Sequence, residues 1–71
     1  MEHAPSVVAD IERTFRADPD PRLRRIALAA LIALTGFTNW NDELRAQLEQ
    51  YRVDPAPLVA ATAQFTFPPD I

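Results

Sequence analysis

Arginine side chains provide the most concentrated chemistry in this sequence. All seven basic residues are arginine, and five of them lie between positions 13 and 25. These five are Arg13, Arg16, Arg22, Arg24 and Arg25. A guanidinium group donates paired hydrogen bonds to phosphates and carboxylates. The cluster is therefore a candidate patch for an anionic partner, either a nucleic acid or an acidic protein.

Acidic residues interleaved with these arginines favour a different interpretation, a solvated helix face. Asp10, Glu12, Asp18 and Asp20 lie among them, and Glu12 stands four residues before Arg16, the spacing of a helical ion pair. The net charge of −3 gives no overall field that attracts phosphate. The sequence thus argues against nucleic acid as the main partner.

Residue types that could support catalysis or metal binding are sparse. His3 is the only histidine, and there is no cysteine. Ser6 suits a helix cap or first turn, and the neighbouring Asp42 and Glu43 point apart if they lie in a helix. A single glycine excludes a glycine-rich phosphate loop. We therefore expect no enzymatic activity, no metal and no cofactor.

An internal repeat organises the chain. Residues 15–21 recur as residues 51–57, 36 positions later, and five of the seven positions keep their residue type if aromatics are counted as one type. Each copy contains Asp-Pro-x-Pro, as Asp18-Pro19-Asp20-Pro21 and as Asp54-Pro55-Ala56-Pro57. Proline stops an incoming helix but is tolerated at a first helical position. Each copy is therefore predicted to end one helix and begin the next, at a period typical of helical repeats.

The apolar spacing predicts four helices, at about 5–17, 21–35, 40–52 and 55–66, with an extended tail at 67–71. The apolar stripes are Val8, Ile11 and Phe15 in the first; Leu23, Ala27, Ala30, Leu31 and Leu34 in the second; Trp40, Leu44, Leu48 and Tyr51 in the third; and Leu58, Ala61 and Phe65 in the fourth. The second helix is apolar nearly all round, so it is expected to pack on more than one side.

Polar residues and glycine predict where these helices begin and end. Asp20 is expected to cap the second helix, and either Asn39 or Asn41 the third. The fourth begins at Pro55 or Pro57, with Asp54 as a candidate cap, since Ala56 cannot cap. The only glycine, Gly36, is expected to close the second helix in a left-handed conformation.

The segment from Asp18 to Leu31, DPDPRLRRIALAAL, resembles a HEAT repeat, whose first helix is commonly introduced by Asp-Pro-x-Pro, then an arginine and an alanine-rich apolar run. The resemblance covers about residues 18–65 and implies two degenerate repeats with helices in the order B, A, B, A. It also implies a scaffold for protein contacts, sometimes for nucleic acid, and rarely a catalyst.

Four aromatic residues are predicted to contact a partner, because aromatics at turns and helix ends are enriched at interface hot spots. They are Phe37, Trp40, Phe65 and Phe67. A chain of 71 residues removes only about 60% of its surface from water on folding. No disulfide can supplement that burial here, so oligomerisation or docking on another protein is the expected supplement.

The sequence therefore predicts one all-α domain over residues 1–71, a HEAT-like stack of two antiparallel helical hairpins. Its expected function is that of a small interaction module or accessory subunit, with another protein or another copy as partner. The alternative is a nucleic-acid-associated accessory protein that uses the arginine cluster. Residues 26–34 form the longest apolar run, which is too short to span a membrane, and the start lacks signal-peptide features. We expect a cytoplasmic protein with no membrane partner.

Overall fold

A computed structural model of the chain describes residues 4–68, which form four α-helices and no β-strand. Helix α1 comprises Ala4–Phe15, α2 Pro21–Thr38, α3 Asp42–Arg52 and α4 Pro57–Gln64. The all-α class is confirmed. His3 and the last three residues of the predicted tail lie outside the described residues.

The helices pack in pairs that share an Asp-Pro-x-Pro turn. Helix α1 packs against α2, α3 packs against α4, and α2 also contacts α3 and α4. The Cα atoms extend over 33 × 27 × 15 Å. Two helices with axes 8–10 Å apart and a Cα radius of about 2.3 Å span about 15 Å, so the shortest dimension fits two helical layers. Helix α2 contacts each of the other three helices.

The start of α2 and the start of α3 agree with the predicted caps. The Asp20 carboxylate accepts a hydrogen bond from the Arg22 backbone N–H at 2.9 Å, and Pro21 is the first helical residue. The Asn41 side chain accepts one from the Leu44 N–H at 2.8 Å. Each side chain satisfies a donor that the first turn of a helix leaves without a partner.

The predicted left-handed cap at Gly36 is wrong. Helix α2 continues through Gly36 to Thr38, and the residue with positive φ is Asn39, at 61°. Asparagine tolerates this region better than most side chains do. The Asn39 N–H donates to the Thr35 carbonyl at 2.9 Å, which satisfies an acceptor in the last turn.

The fourth helix begins at the later of the two predicted prolines, Pro57, and Asp54 does not cap it. Its N-cap is Ala56, which makes no side-chain capping bond. The Asp54 carboxylate instead accepts hydrogen bonds from the Ala56 N–H at 2.8 Å and from Arg24. The turn therefore uses this aspartate to order itself rather than to cap the helix.

The buried core lies where α2, α3 and α4 meet. It consists of Ala27, Leu28, Leu31, Leu48, Tyr51, Val59 and Ala63. Phe15, Trp40 and Leu44 pack against it while remaining partly exposed. The third predicted stripe thus faces the core, although Trp40 precedes α3 rather than opening it.

The stripe predicted for the fourth helix faces outward, which is a correction. Leu58 is 50% exposed and Phe65 80%, and Ala61 is exposed as well, whereas Val59 and Ala63 are buried. Helix α4 is apolar on both faces, so its periodicity alone did not determine which face would meet α2 and α3. Leu58, Ala61 and Phe65 therefore form an apolar row that is in contact with water.

Truncating the buried Leu48 should destabilise the protein far more than truncating the half-exposed Leu58. We expect Leu48→Ala to lower the free energy of unfolding by about 2–5 kcal/mol, because it opens a cavity in the core. Leu58→Ala is the matched control and should cost less than about 1 kcal/mol. Urea unfolding followed by circular dichroism measures both values. Equal costs would show that the core is not where we place it.

Candidate interaction surface

The two copies of Asp-Pro-x-Pro adopt the same turn. In the first copy the Asp18 carboxylate accepts the Asp20 N–H at 2.8 Å, and in the second the Asp54 carboxylate accepts the Ala56 N–H at 2.8 Å. An aspartate that bonds the backbone two residues ahead orders a turn locally. The sequence repeat is therefore also a structural repeat, with one ordered turn inside each helix pair.

Arg24 joins the two turns. Its Nε and Nη2 donate to the Asp54 carboxylate at 2.7 and 3.1 Å, while Nη1 donates to the carbonyls of Asp18 and Pro19 at 2.7 and 3.1 Å. The side chains of Arg24 and Asp54 are only 15% and 8% exposed. The paired hydrogen bonds to Arg24 hold the pKa of Asp54 below its usual range, helped by the Ala56 N–H.

A second polar cluster, built on Glu12, connects α1 to α3. Glu12 is 2% exposed and accepts a hydrogen bond from the Tyr51 hydroxyl at 2.6 Å. Arg16 also donates to both oxygens of this carboxylate, with Nε at 3.0 Å from Oε2. Burial, with the hydrogen bond to Glu12, raises the pKa of the Tyr51 hydroxyl above its usual range, which keeps it a donor.

A cleft of about 150 Å³ opens beside this cluster and is lined by residues of α1, α2 and α3, including Leu31, Leu34 and Glu43. It is smaller than the roughly 300–1,000 Å³ of typical small-molecule sites. Because Tyr51 and Arg16 already occupy the Glu12 carboxylate, the cluster is best explained as a link between helices.

The predicted arginine patch is largely paired with carboxylates of the same chain. Arg13 pairs with Asp10, Arg16 with Glu12, Arg22 with Asp20, and Arg24 with Asp54. Arg25 differs, because it makes no hydrogen bond or ion pair within residues 4–68. The structure thus does not gather the five guanidinium groups into one open site.

Three of the four predicted contact aromatics are exposed. Phe37 is 53% exposed, Phe65 80% and Phe67 76%, whereas Trp40 is partly buried against the core. Phe37 lies in the last turn of α2, and the other two exposed rings follow or end α4. The three exposed rings thus lie at the C-terminal ends of α2 and α4.

The backbone that carries Phe65 and Phe67 is anchored to α3. Arg52 donates from Nε to the Ala63 carbonyl at 3.1 Å and from Nη2 to the Thr66 carbonyl at 2.5 Å. Thr66 in turn donates from its hydroxyl to the Thr62 carbonyl at 2.9 Å. These bonds tie the residues that follow α4 to the side chain of Arg52 and to the last turn of α4. Two exposed phenylalanines are thus presented on an ordered segment.

The remaining candidate residues do not assemble into a site. Asp42 and Glu43 are both exposed at the start of α3. In the part of the chain that the structure describes, no group of three or more potential metal ligands lies together. Among the same residues, no helix has the combined length and apolar character that crossing a bilayer requires.

Comparison with known proteins gives no relative. No family model, curated protein or solved structure matches this chain. The geometry described above is therefore the basis for a functional proposal.

The sequence analysis does not predict two features, the burial of Glu12 and the bridge from Arg24 to Asp54. The first has a signature in the sequence. Glu12 lies 36 positions before Leu48, the repeat distance, so the repeat register already placed it at a core position. The bridge from Arg24 to Asp54 joins residues 30 positions apart. Their partnership depends on how the two helix pairs pack, which no local pattern specifies.

Removing the Tyr51 hydroxyl should destabilise the protein. We expect Tyr51→Phe to lower the free energy of unfolding by about 1.5–3 kcal/mol, because it removes a buried hydrogen bond to a carboxylate. With Glu12→Leu already present, the same change should cost much less, since the acceptor is gone. A double-mutant cycle in urea measures the coupling. Strictly additive costs would show that the two groups do not interact.

Stability should fall on acidification, partly through Asp54. Its pKa is lower in the folded than in the unfolded state, so its contribution is complete above the unfolded value of about 3.9 and is lost as pH falls through the folded pKa. Asp54→Asn should therefore be less stable than the wild type at pH 7 and show a shallower loss below about pH 5. The asparagine side chain can still accept the hydrogen bond from the Ala56 N–H, so the variant removes the negative charge but keeps this bond of the turn.

Asp10→Asn is the matched control for this pH experiment, since Asp10 and Arg13 form an exposed pair of the kind that contributes little. The measurement is the free energy of unfolding of the wild type and both variants from pH 7 to pH 2.5. An Asp54→Asn curve parallel to the wild type would contradict the assignment.

Proposed function

We propose that this protein is a small helical interaction module that serves as an accessory subunit of a larger assembly. The observation that supports this most directly is the exposure of Phe65 and Phe67 on a backbone segment anchored by Arg52. Aromatic side chains held in place before binding lose little conformational freedom on association. Such rings are characteristic anchors of protein interfaces.

The magnitude of the available burial supports a contact that extends beyond these rings. A phenylalanine buries roughly 150–250 Å², so the two rings offer on the order of 300 Å². At about 25 cal/mol per Å² that corresponds to about 7 kcal/mol before the costs of association, which are about 4–15 kcal/mol. The two rings would anchor an interface but would not sustain one alone. Further contacts, such as the exposed Phe37 and Leu58, would be required.

The repeat supports the same proposal. The two Asp-Pro-x-Pro turns are alike, and Arg24 links them as successive units of a stack. Helical repeats bury their apolar faces by stacking neighbours, and three or more are generally needed. In a HEAT-like interpretation, this chain supplies two units, and the apolar outward row of α4 suits an additional unit supplied by another protein.

Nucleic acid is the less favoured partner. Four of the five clustered arginines are already paired with carboxylates, and the chain is acidic overall. A phosphate backbone would have to displace those carboxylates and overcome the net repulsion.

Site-specific photocrosslinking in the native host tests the proposal. A benzoylphenylalanine in place of Phe65 or Phe67 should form a discrete adduct with a protein partner, because either position would lie in the interface. The same group at the exposed Thr14 of α1 is the control and should not. Phe65→Ser should reduce recovery of that partner about tenfold or more, as truncation of an interface anchor does. Adducts no more frequent than at Thr14 would overturn the proposal.

A further inference from the structure

Acidic residues are unevenly distributed among the four helices. Helices α2 and α4 contain three arginines and no acidic residue. Helices α1 and α3 contain three arginines as well, but also five acidic residues, namely Asp10, Glu12, Asp42, Glu43 and Glu49. A chain with net charge −3 thus has two helices in mutual contact, α2 and α4, whose charged side chains are all positive.

The outward surface of that layer is also apolar. On α2, Arg22, Ile26 and Ala29 are exposed at i, i+4 and i+7. Leu58 in the first turn of α4 and Phe65, which caps its C-terminal end, are likewise exposed seven residues apart. The repeat offset of 36 makes Arg22 equivalent to Leu58, and Ala29 equivalent to Phe65. Helices α2 and α4 contact each other. Stacking of successive repeat units places equivalent rows on the same side.

Arg25 adds a cation that nothing described in the chain neutralises. It belongs to α2, is partly exposed, and has no ion pair within residues 4–68. The nearby Arg22 is 82% exposed and pairs only with Asp20, its own helix cap. An incoming carboxylate would therefore find Arg25 available and could also share Arg22. We call the surface formed by Arg22, Arg25, Ile26, Leu58 and Phe65 the α2–α4 face.

We infer that the α2–α4 face binds an acidic amphipathic helix of the partner protein. This inference rests on the proposed function and specifies the chemistry of the partner. Apolar side chains on one stripe of such a helix would cover Leu58, Phe65 and Ile26, while flanking Asp or Glu would meet Arg25 and Arg22. Helix α2 is 18 residues long, about 27 Å, which accommodates several turns of a partner helix.

Two other occupants fit the face less well. Recognition of anionic membranes typically uses clusters of 4–8 basic residues, whereas this face has two, in an acidic protein. A second copy could offer the acidic residues of its α1 and α3, but the large apolar residues exposed in α1 and at the end of α3 are only Val7 and Val53. Those two cannot match the apolar row of the α2–α4 face.

The test compares two designed peptides of about 15 residues that share one leucine stripe and carry either glutamate or lysine elsewhere. Each is titrated into the ¹⁵N-labelled full chain and followed by NMR. We expect the glutamate peptide to shift amide signals of α2 and α4 rather than α1 and α3, and to bind about tenfold more tightly than the lysine peptide. Its affinity should fall as salt is raised.

Arg25→Glu should weaken binding of the glutamate peptide about tenfold. Arg25→Ala replaces it if the charge reversal perturbs folding, and it should also weaken binding. The matched control is Arg13→Glu, which makes the same change of charge on α1. It should leave the affinity within about twofold. Thermal unfolding of each variant checks that it is folded.

Several outcomes would overturn this inference. Equal binding of the two peptides, no binding of the glutamate peptide at millimolar concentration, or shifts centred on α1 and α3 would each do so. Arg25-dependent binding to phosphatidylglycerol vesicles that exceeds binding to the peptide would assign the face to a membrane instead. A partner crosslinked through Phe65 that contains no acidic helix would also overturn the inference while leaving the proposed interaction function intact.

Discussion

Arg24 holds together the arrangement on which every surface of this protein depends. One guanidinium group satisfies two carbonyls of the first Asp-Pro-x-Pro turn and the carboxylate of the second. The turns are thereby fixed relative to each other, and with them α2 and α4, which begin there. Because Arg24 and Asp54 are mostly withdrawn from water, leaving either without the other would leave a charge poorly solvated. The pair therefore specifies how the two repeat units stack.

The two repeat units are alike in their turns but differ in their interiors. Position 48 is a buried leucine, whereas its equivalent at position 12 is a buried glutamate bonded to Tyr51 and Arg16. A buried carboxylate requires specific donors, so α1 can approach α3 satisfactorily only where the Tyr51 hydroxyl reaches Glu12. The apolar contacts of the core are less selective about register. The polar cluster fixes α1 against α3, and the Arg24 bridge fixes the start of α2 against the turn before α4.

Most of the fold followed from the sequence because it depends on local signals. Proline positions, the Asp20 and Asn41 caps and the stripe through Leu48 and Tyr51 were each visible within a few residues. The end of α2 was misplaced because Gly36 and Asn39 could both close the helix, and only the surrounding structure selects Asn39. The contact role of the candidate surface stays a prediction. The exposure of Phe65 and Phe67 agrees with an interface role, but the outward direction of Leu58 depends on tertiary contacts that an all-apolar helix does not encode.

The flat shape connects this packing to the proposed role. The Cα atoms span only 15 Å in the shortest dimension. In so thin a molecule, α4 buries Val59 and Ala63 and leaves its other side facing water. In α4 that outer side is apolar rather than charged, although solvent-facing helix surfaces normally carry polar residues. Since α1 and α3 place most of their charges outward, with Glu12 as the buried exception, the chain can produce a solvated face where one is needed. An apolar, acid-free α2–α4 face is therefore more consistent with a surface kept for contact than with a composition too apolar to do otherwise.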